Sequence, residues 1–282
     1  MKFDSVHAML QFMQNPAPTS CDATPEHVLF SVADGIATIT LNRPERRNAL
    51  SIAANERLYA LWEKIDADAG IQAVILTSAD CGTFCAGMDL REAAQERERT
   101  GRDILDLLRD PMYQRMRTVR APIIAAMTGH FTAGGMVLAL NADLRVGLAG
   151  TRGGITEAKV GRGAPWAVPL LWMLPQPILM EMMLTGEMMP IERLAAMGFV
   201  NHVEATPDAV RQRALALAAQ IRDNAPLTVR ASKQTVLAAM ELGSVAGFAQ
   251  AQRIFAPVYA SEDAHEGPRA FAEKRKPVWS GR

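Results

Sequence analysis

Three short apolar runs restrict the fold of this chain more than any other feature of its sequence. They span residues 73–77, 123–127 and 144–148, and segments of helical character lie between them. Apolar runs of this length are typical of strands that are buried on both faces. Strands that alternate with crossover helices form a parallel sheet with helices packed against it. The sequence therefore predicts an α/β fold built on a parallel sheet.

The segments before and between these runs add further elements. Residues 28–32 and 36–41 are rich in β-forming residues and meet at Asp34-Gly35, which predicts a hairpin. Ser51 is a candidate N-cap for a helix that continues to about residue 67. The spacing of apolar residues predicts another helix over 104–119.

The character of the sequence changes near Thr206. From there on no strand pattern occurs, and four helices are predicted, at residues 208–222, 227–240, 245–259 and 265–274. We therefore divide the chain into an N-terminal arm (1–25), a core (26–206) and a helical C-terminal region (207–282). The amphipathic patterns leave open whether these helices pack on a neighbouring subunit or cap their own core.

Charge and cysteine content exclude several classes of function. Thirty basic residues balance thirty acidic ones, so there is no extended basic surface for nucleic acid or an anionic membrane. No segment has the ~18 consecutive apolar residues of a membrane span, and the N-terminus does not resemble a signal peptide. The odd cysteine count (Cys21, Cys81 and Cys85) fits a reducing cytosol, and the scattered histidines predict no metal site. We expect a cytoplasmic protein.

Two glycine-containing loops follow predicted strands. Ala86-Gly87-Met88 comes after the strand at 73–77, and Ala133-Gly134-Gly135 comes after the strand at 123–127. Because parallel strands end at the same edge of a sheet, the N–H groups of Met88 and Gly134 could converge on one oxygen. Two convergent N–H donors stabilise an enolate or a tetrahedral oxyanion. The alternative for these glycines is a tight packing turn between strand and helix.

These loops belong to a longer, ordered set of motifs. In chain order the set is Ile39-Thr40-Leu41-Asn42-Arg43-Pro44 with Asn48-Ala49-Leu50, Phe84-Cys85-Ala86-Gly87-Met88-Asp89-Leu90, Gly129-His130-Phe131-Thr132-Ala133-Gly134-Gly135, Ala142-Asp143-Leu144-Arg145, Thr156-Glu157 ahead of Gly161, and Phe271-Ala272-Glu273-Lys274-Arg275-Lys276-Pro277-Val278-Trp279. Across about residues 28–282 the sequence resembles the crotonase superfamily, the enoyl-CoA hydratase/isomerase family.

The resemblance implies a fold, an assembly and a substrate class. The fold would be a crotonase-like spiral core of ββα units with a C-terminal α-helical oligomerisation region, and the assembly a homotrimer or a dimer of trimers. The substrate would be an acyl-CoA thioester, with coenzyme A as part of the substrate and no separate cofactor. Its thioester oxygen would lie between the N–H groups of Met88 and Gly134.

The resemblance also implies residues that contact coenzyme A and the acyl chain. Coenzyme A would lie along the loop that contains Arg46, Arg47 and Ala49, and along the strand end at Cys85 and Ala86. Further candidates are placed by the same resemblance: Phe271 and Lys274 near the nucleotide of an adjacent subunit, and Trp166 in the acyl pocket. Arg46, Arg47 and Lys274 are candidates for phosphate contacts. For each of these residues the alternative is a solvated surface charge or ordinary packing.

The acid–base residues depart from the family pattern. Hydratases of this family use two glutamates, and here the first position is Val137 while the second is Glu157. A single carboxylate can move a double bond, because it takes a proton from C2 of the acyl group and returns it at C4. We therefore expect Glu157 to be the catalytic base and favour isomerisation.

Other possibilities stay open at this point. A hydratase would need an unusual second group, for which His130 and Asp89 are candidates, and the alternative for Asp89 is a structural cap of the following turn. Arg162 could meet a carboxylate of the substrate, or pair with Glu157 or solvent. A decarboxylase, a thioester hydrolase, or a binding protein that has lost catalysis would use the same loops.

Overall fold

Residues 26–282 are described by a computed structural model, so the predicted arm at 1–25 lies outside the described residues. The strands form two sheets. A six-stranded sheet has the order β1-β2-β3-β5-β7-β10, and a four-stranded sheet has the order β4-β6-β8-β9. The strand bounds are β1 Val28–Ala33, β2 Ile36–Leu41, β3 Ala73–Ser78, β4 Thr83–Cys85, β5 Ile123–Met127, β6 His130–Thr132, β7 Leu144–Leu148, β8 Arg152–Gly154, β9 Met189–Pro190 and β10 His202–Glu204.

The large sheet confirms the strand predictions. β1 and β2 are the antiparallel hairpin expected around Asp34-Gly35. β2, β3, β5, β7 and β10 then run parallel to one another. The three runs are β3, β5 and β7. β3 and β5 are buried at every position, which explains why they are almost continuously apolar, whereas β7 is buried at its three central positions and contains Arg145.

The small sheet is the part of the architecture that periodicity did not predict. β4, β6 and β8 are each three residues long and directly follow β3, β5 and β7, respectively. Each pair therefore places its first strand in the large sheet and its second in the small one. Strands of three residues are too short to show an alternating pattern, which is why they escaped the sequence analysis.

Nine α-helices and four 3-10 helices lie within residues 26–282. The α-helices are α1 Ile52–Ala67, α2 Leu90–Thr100, α3 Gln114–Thr118, α4 Gly134–Asn141, α5 Gln176–Thr185, α6 Ile191–Ala196, α7 Pro207–Arg222, α8 Pro226–Tyr259 and α9 Glu262–Ala272; the 3-10 helices are Pro44–Arg46, Ile104–Leu107, Glu157–Val160 and Pro165–Trp172. The Ser51 hydroxyl accepts a hydrogen bond from the N–H of Ala54, which confirms the predicted N-cap of α1.

Two apolar clusters hold the layers together. The larger lies around α1, α4 and the sheets and contains the fully buried side chains of Trp62, Phe84 and Phe131. The smaller lies between the large sheet and α7, where Val210 and Ala214 pack on Ile75. Thus α7 covers one face of the sheet, although it belongs to the all-helical part of the sequence. The boundary between core and C-terminal region near residue 206 stays a prediction.

The single helix predicted over 104–119 is wrong. The segment forms the 3-10 helix Ile104–Leu107 and the short helix α3 instead. Pro111 lacks the N–H that a continuous helix would need, and Tyr113 has a left-handed backbone (φ 53°). The Asp110 side chain caps the new start by accepting hydrogen bonds from the N–H groups of Gln114 and Arg115.

The C-terminal helices are confirmed with one change. The predicted helices at 227–240 and 245–259 are two arms of α8 that meet at Gly243, whose φ of 69° and ψ of 180° interrupt the helix. No helix within residues 26–282 is long and apolar enough to cross a membrane.

Candidate functional site

The two glycine-containing loops meet at the N-terminus of α4. Leu50 pairs with Met88 through hydrogen bonds from Leu50 N–H to the Gly87 carbonyl (2.8 Å) and from Asp89 N–H to the Leu50 carbonyl (3.0 Å). A Cβ on Gly87 would lie 3.0 Å from the nitrogen of Gly134. Gly87 also has φ of +89°, so only glycine fits this close approach without strain.

In the described part of the chain, neither candidate N–H donor has a protein acceptor. Met88 presents its N–H on the side away from Leu50, and within residues 26–282 this N–H makes no backbone hydrogen bond. Gly134 is the first residue of α4, where a backbone N–H has no intrahelical acceptor. Both residues line a cavity of about 210 Å³. The structure therefore brings the two predicted donors to the same space.

Ala133 directly precedes Gly134 and is held in a strained conformation. Its φ of 50° and ψ of −118° lie outside the regions that alanine prefers. Its carbonyl accepts from Val137 N–H at 3.0 Å, and its own N–H donates to the Gly154 carbonyl at 3.3 Å. Strain of this kind persists where the surroundings over-determine the backbone, and it is common at functional sites.

Glu157 opens onto the same cavity. Only 8% of its surface is exposed. Its Oε1 accepts a hydrogen bond of 3.1 Å from the indole Nε1 of Trp166, and its Oε2 is buried with no protein partner in the described part of the chain. Burial raises the pKa of the Glu157 carboxyl, while hydrogen bonds from the backbone and from Trp166 oppose the rise. A carboxylate with one free oxygen and a raised pKa suits proton transfer.

No second carboxylate lines this cavity within residues 26–282. Val137 lines it as a buried side chain. Asp89 caps α2 through Arg91 N–H and forms an ion pair of 2.9 Å with Arg43, as expected for a structural residue. His130 is exposed on β6, where its Nδ1 accepts from the N–H of Arg152 at 3.0 Å.

A comparison with known proteins identifies the family. The model of the family described as enoyl-CoA hydratase/isomerase matches residues 31–282. The chain belongs to the enoyl-CoA hydratase/isomerase family, within the crotonase superfamily. It is 33% identical over 260 residues to (E)-benzylidenesuccinyl-CoA hydratase of Thauera aromatica, and the aligned region covers 90% of this chain and 99% of the relative.

Other members of the family are equally similar in sequence and fold. The 2,3-dehydroadipyl-CoA hydratase of Escherichia coli is 32% identical over 260 residues, covering 90% of this chain and 99% of that protein. The crystal structure of an enoyl-CoA hydratase from Mycobacterium tuberculosis superposes with a TM-score of 0.80 at 38% identity, covering 91% of this chain and all of the other. The two-sheet core with its C-terminal helices is therefore the crotonase fold, and the protein is an enzyme of the hydratase/isomerase type.

The remaining residues predicted to contact coenzyme A or the acyl chain fall into two groups, those that line the cavity and those that do not. Ala86 and Trp166 line the cavity together with Met88, Gly134 and Glu157. The others lie outside its lining: Arg46, Arg47, Phe271 and Lys274 are exposed, and Ala49 and Cys85 are buried. Their proposed contacts with coenzyme A stay predictions.

Cys85 is the most enclosed member of that second group. Its side chain is fully buried, and burial raises the pKa of its thiol to about 12. Only its backbone could therefore face a ligand.

Within residues 26–282 no three His, Cys, Asp or Glu side chains are grouped to hold a metal ion.

Arg162 has a partner that the sequence did not reveal. Its guanidinium forms a two-pronged ion pair with the carboxylate of Asp103, with Nη2 to Oδ1 at 2.8 Å. The sequence left open an ion pair between Arg162 and the Glu157 side chain, but the Arg162 guanidinium pairs with Asp103 instead. The hydrogen bond between Arg162 and Glu157 joins backbone groups, from Arg162 N–H to the Glu157 carbonyl at 3.0 Å.

Met112 and Tyr113 also line the cavity, and they were missed because the 104–119 segment was treated as one helix, although Pro111 was an available signal. Asp103 lies just before that segment, and no local pattern predicts its contact with a residue 59 positions away.

Proposed function

We propose that this acyl-CoA enzyme isomerises a 3-enoyl-CoA to the 2-enoyl-CoA, with Glu157 as its only acid–base group. The observation that carries the proposal is the cavity that holds Glu157 and no other carboxylate within residues 26–282. Val137 stands where a hydratase of this family has its other glutamate. An aliphatic side chain cannot transfer a proton, so one carboxylate would have to perform both transfers.

In the proposed mechanism the thioester oxygen accepts hydrogen bonds from the N–H groups of Met88 and Gly134. The free Oε2 of Glu157 removes a proton from C2, and the electron pair moves into the thioester to form an enolate. The C3=C4 bond then shifts to C2=C3 as the same carboxyl group returns its proton to C4. Each oxyanion donor in such a site is typically worth roughly 10²–10³ in rate.

Hydration of a 2-enoyl-CoA is the second candidate. The names of two relatives, (E)-benzylidenesuccinyl-CoA hydratase and 2,3-dehydroadipyl-CoA hydratase, favour it. However, hydration needs both a base for water and a proton donor for C2, and the two side chains considered for the second role are occupied elsewhere. Asp89 is paired with Arg43, and His130 accepts from Arg152 N–H outside the cavity.

Coenzyme A would enter as part of the substrate, and no separate cofactor would take part. The assembly would be a homotrimer or a dimer of trimers, and the location the reducing cytosol that the cysteine content suggests.

Product analysis tests the proposed reaction. The protein is incubated with 3-enoyl-CoA and with 2-enoyl-CoA of the same length, and products are separated by chromatography before mass spectrometry. We expect interconversion of the two isomers at unchanged mass, and a loss of about 10²–10⁴ in kcat for Glu157→Gln. Glu187→Gln is the matched control, because Glu187 pairs with Lys159 outside the cavity.

Two other results would each contradict isomerisation. A product heavier by one water would identify a hydratase. Tight binding of the thioester with no turnover by the wild type would instead indicate a binding protein on the crotonase fold.

A further inference from the structure

The cavity of the proposed acyl site contains one basic side chain among the described residues, that of Arg162. Its positive charge is already neutralised by Asp103, which also accepts a hydrogen bond from Leu105 N–H at 3.0 Å. The ion pair lowers the pKa of the Asp103 carboxyl far below its usual range, chiefly through the hydrogen bonds from Arg162. Asp103 is therefore ionised at neutral pH and holds the guanidinium in place.

The pair joins two different walls of the cavity. Asp103 directly precedes Ile104 and Leu105, which line one wall, while Arg162 and Gly163 belong to another. The two partners are 59 residues apart in sequence. The geometry is two-pronged, which is the arrangement in which a guanidinium binds a carboxylate most specifically. A carboxylate carried by a ligand would have to displace Asp103 to obtain the same contacts.

The other charges near the cavity do not favour a second anion. Glu157 adds a negative charge when it is ionised, and its free oxygen has no protein donor among residues 26–282. The remaining titratable side chain of the lining, Tyr113, donates its hydroxyl to the side chain of Asn55. Arg97, on α2, acts on the Asp103 carboxylate through space and does not line the cavity.

We infer that the Asp103–Arg162 pair restricts the enzyme to acyl groups that carry no charge of their own, and that Asp103 is the specificity-determining residue. The inference rests on the proposed use of this cavity for the acyl group. A cavity of about 150 Å³ holds a benzene molecule, so about 210 Å³ suits a short aliphatic or ring-bearing acyl group. An acyl carboxylate would enter beside Glu157, and among residues 26–282 the cavity lining offers it no cation other than the paired Arg162, so its entry would carry a considerable cost.

Binding of two saturated thioesters tests this inference without relying on turnover. Hexanoyl-CoA and adipoyl-CoA have acyl groups of equal carbon number, and only adipoyl-CoA ends in a carboxylate. Calorimetry on the wild type should give a Kd for adipoyl-CoA at least about 10-fold weaker than for hexanoyl-CoA. Asp103→Asn keeps a capping oxygen for Leu105 N–H and frees Arg162. This variant should lower the ratio of the adipoyl-CoA Kd to the hexanoyl-CoA Kd about 5–10-fold, and the decrease should be smaller at high salt.

Two further variants test whether the change in the Kd ratio comes from the Asp103–Arg162 pair. The double variant Asp103→Asn/Arg162→Met should lose the improved relative affinity for adipoyl-CoA, because it no longer has the guanidinium that Asp103→Asn frees. Glu187→Gln removes an exposed carboxylate from a neighbouring ion pair that does not line the cavity, and it should keep the wild-type ratio.

The outcomes separate this inference from the proposed function. Equal affinity of the wild type for both thioesters would overturn the inference. So would an unchanged ratio in Asp103→Asn that still binds hexanoyl-CoA. Failure of the wild type to bind either thioester would contradict the proposed acyl-CoA site itself, and the inference with it.

Discussion

The two oxygens of the Glu157 carboxylate lie in different surroundings. Oε1 accepts from the Trp166 indole, whereas Oε2 is buried and has no protein donor among the described residues. A hydrogen bond from a neutral N–H stabilises the ionised carboxylate more than the protonated acid. Trp166 therefore opposes the rise in pKa that burial causes, and it also fixes the direction in which the free oxygen points.

Replacing Trp166 with Phe should change the pH dependence of the reaction. Without the indole N–H, the pKa of Glu157 rises further, because only backbone hydrogen bonds still oppose desolvation. The base must be ionised to act, so the acid limb of kcat/KM should move to higher pH. The pH profile of both proteins checks this, and Trp172→Phe, an exposed tryptophan, is the control. An acid limb at the wild-type position would mean that the Trp166 bond has no effect on the base.

Val137 allows a complementary test at the same scale. Val137→Glu places a second carboxyl group in the cavity, and addition of water to a 2-enoyl-CoA should then become measurable. The control is Val137→Gln, because glutamine has the size of glutamate and no acid–base function. We expect the hydration rate of Val137→Glu to exceed that of Val137→Gln by at least about 10-fold. Both variants bury a polar group and should cost about 1–3 kcal/mol of stability. Equal hydration rates for the two variants would contradict the proposed reason for the missing hydratase chemistry.

At the scale of elements, α4 can reach the site only because it packs directly on β4. A Cβ on Gly135 would overlap the carbonyl oxygen of Cys85 and lie 2.9 Å from the Cys85 Cβ. The backbone of a strand cannot move aside as a flexible side chain does. Gly135 therefore fixes the distance between α4 and the small sheet, and with it the position of Gly134.

Gly135→Ala should accordingly destabilise the fold and impair the site. Overpacking of this kind costs about 1–3 kcal/mol, which lowers Tm by roughly 2–5 °C in a protein of this size. Gly267→Ala, within α9, is the matched control, since its Cβ would meet only the Trp279 ring, at an ordinary contact distance of 3.5 Å. Thermal denaturation measures both, and an unchanged Tm for Gly135→Ala would show that α4 can shift.

On the scale of the whole molecule, the C-terminal helices leave large apolar side chains exposed. Val245, Phe248 and Tyr259 of α8 are 87%, 68% and 76% exposed, respectively. Exposed apolar groups that cluster on one region typically mark an interface. They support the predicted role of this region in oligomerisation.

Light scattering should therefore give a mass of three or six chains for the wild type. Phe248→Asp should lower the mass at a given protein concentration, because burying a carboxylate in an interface is costly. Val32→Asp makes the same kind of change at an exposed valine of β1, outside the C-terminal helical region, and serves as the control. A monomeric wild type would contradict the predicted assembly.

The sequence by itself determined the local elements and the family. The hairpin, the three apolar strands and the Ser51 cap each depend on residues within a few positions of one another. Such short-range patterns are readable because backbone geometry repeats every two or about 3.6 residues. The ordered motifs indicated the crotonase superfamily, which the comparisons confirmed. They also predict that Glu157 and Val137 decide the chemistry, and this stays a prediction.

Only the tertiary structure decided which distant side chains meet. Asp103 reaches Arg162 across 59 residues because the strands and helices between them fold remote segments against one cavity. Trp166 reaches Glu157 across nine residues, from the 3-10 helix that follows the one containing Glu157. Neither contact has a local sequence signature. The physical reason is that side-chain pairing depends on the packing of whole elements, whereas propensity and periodicity act only along the chain.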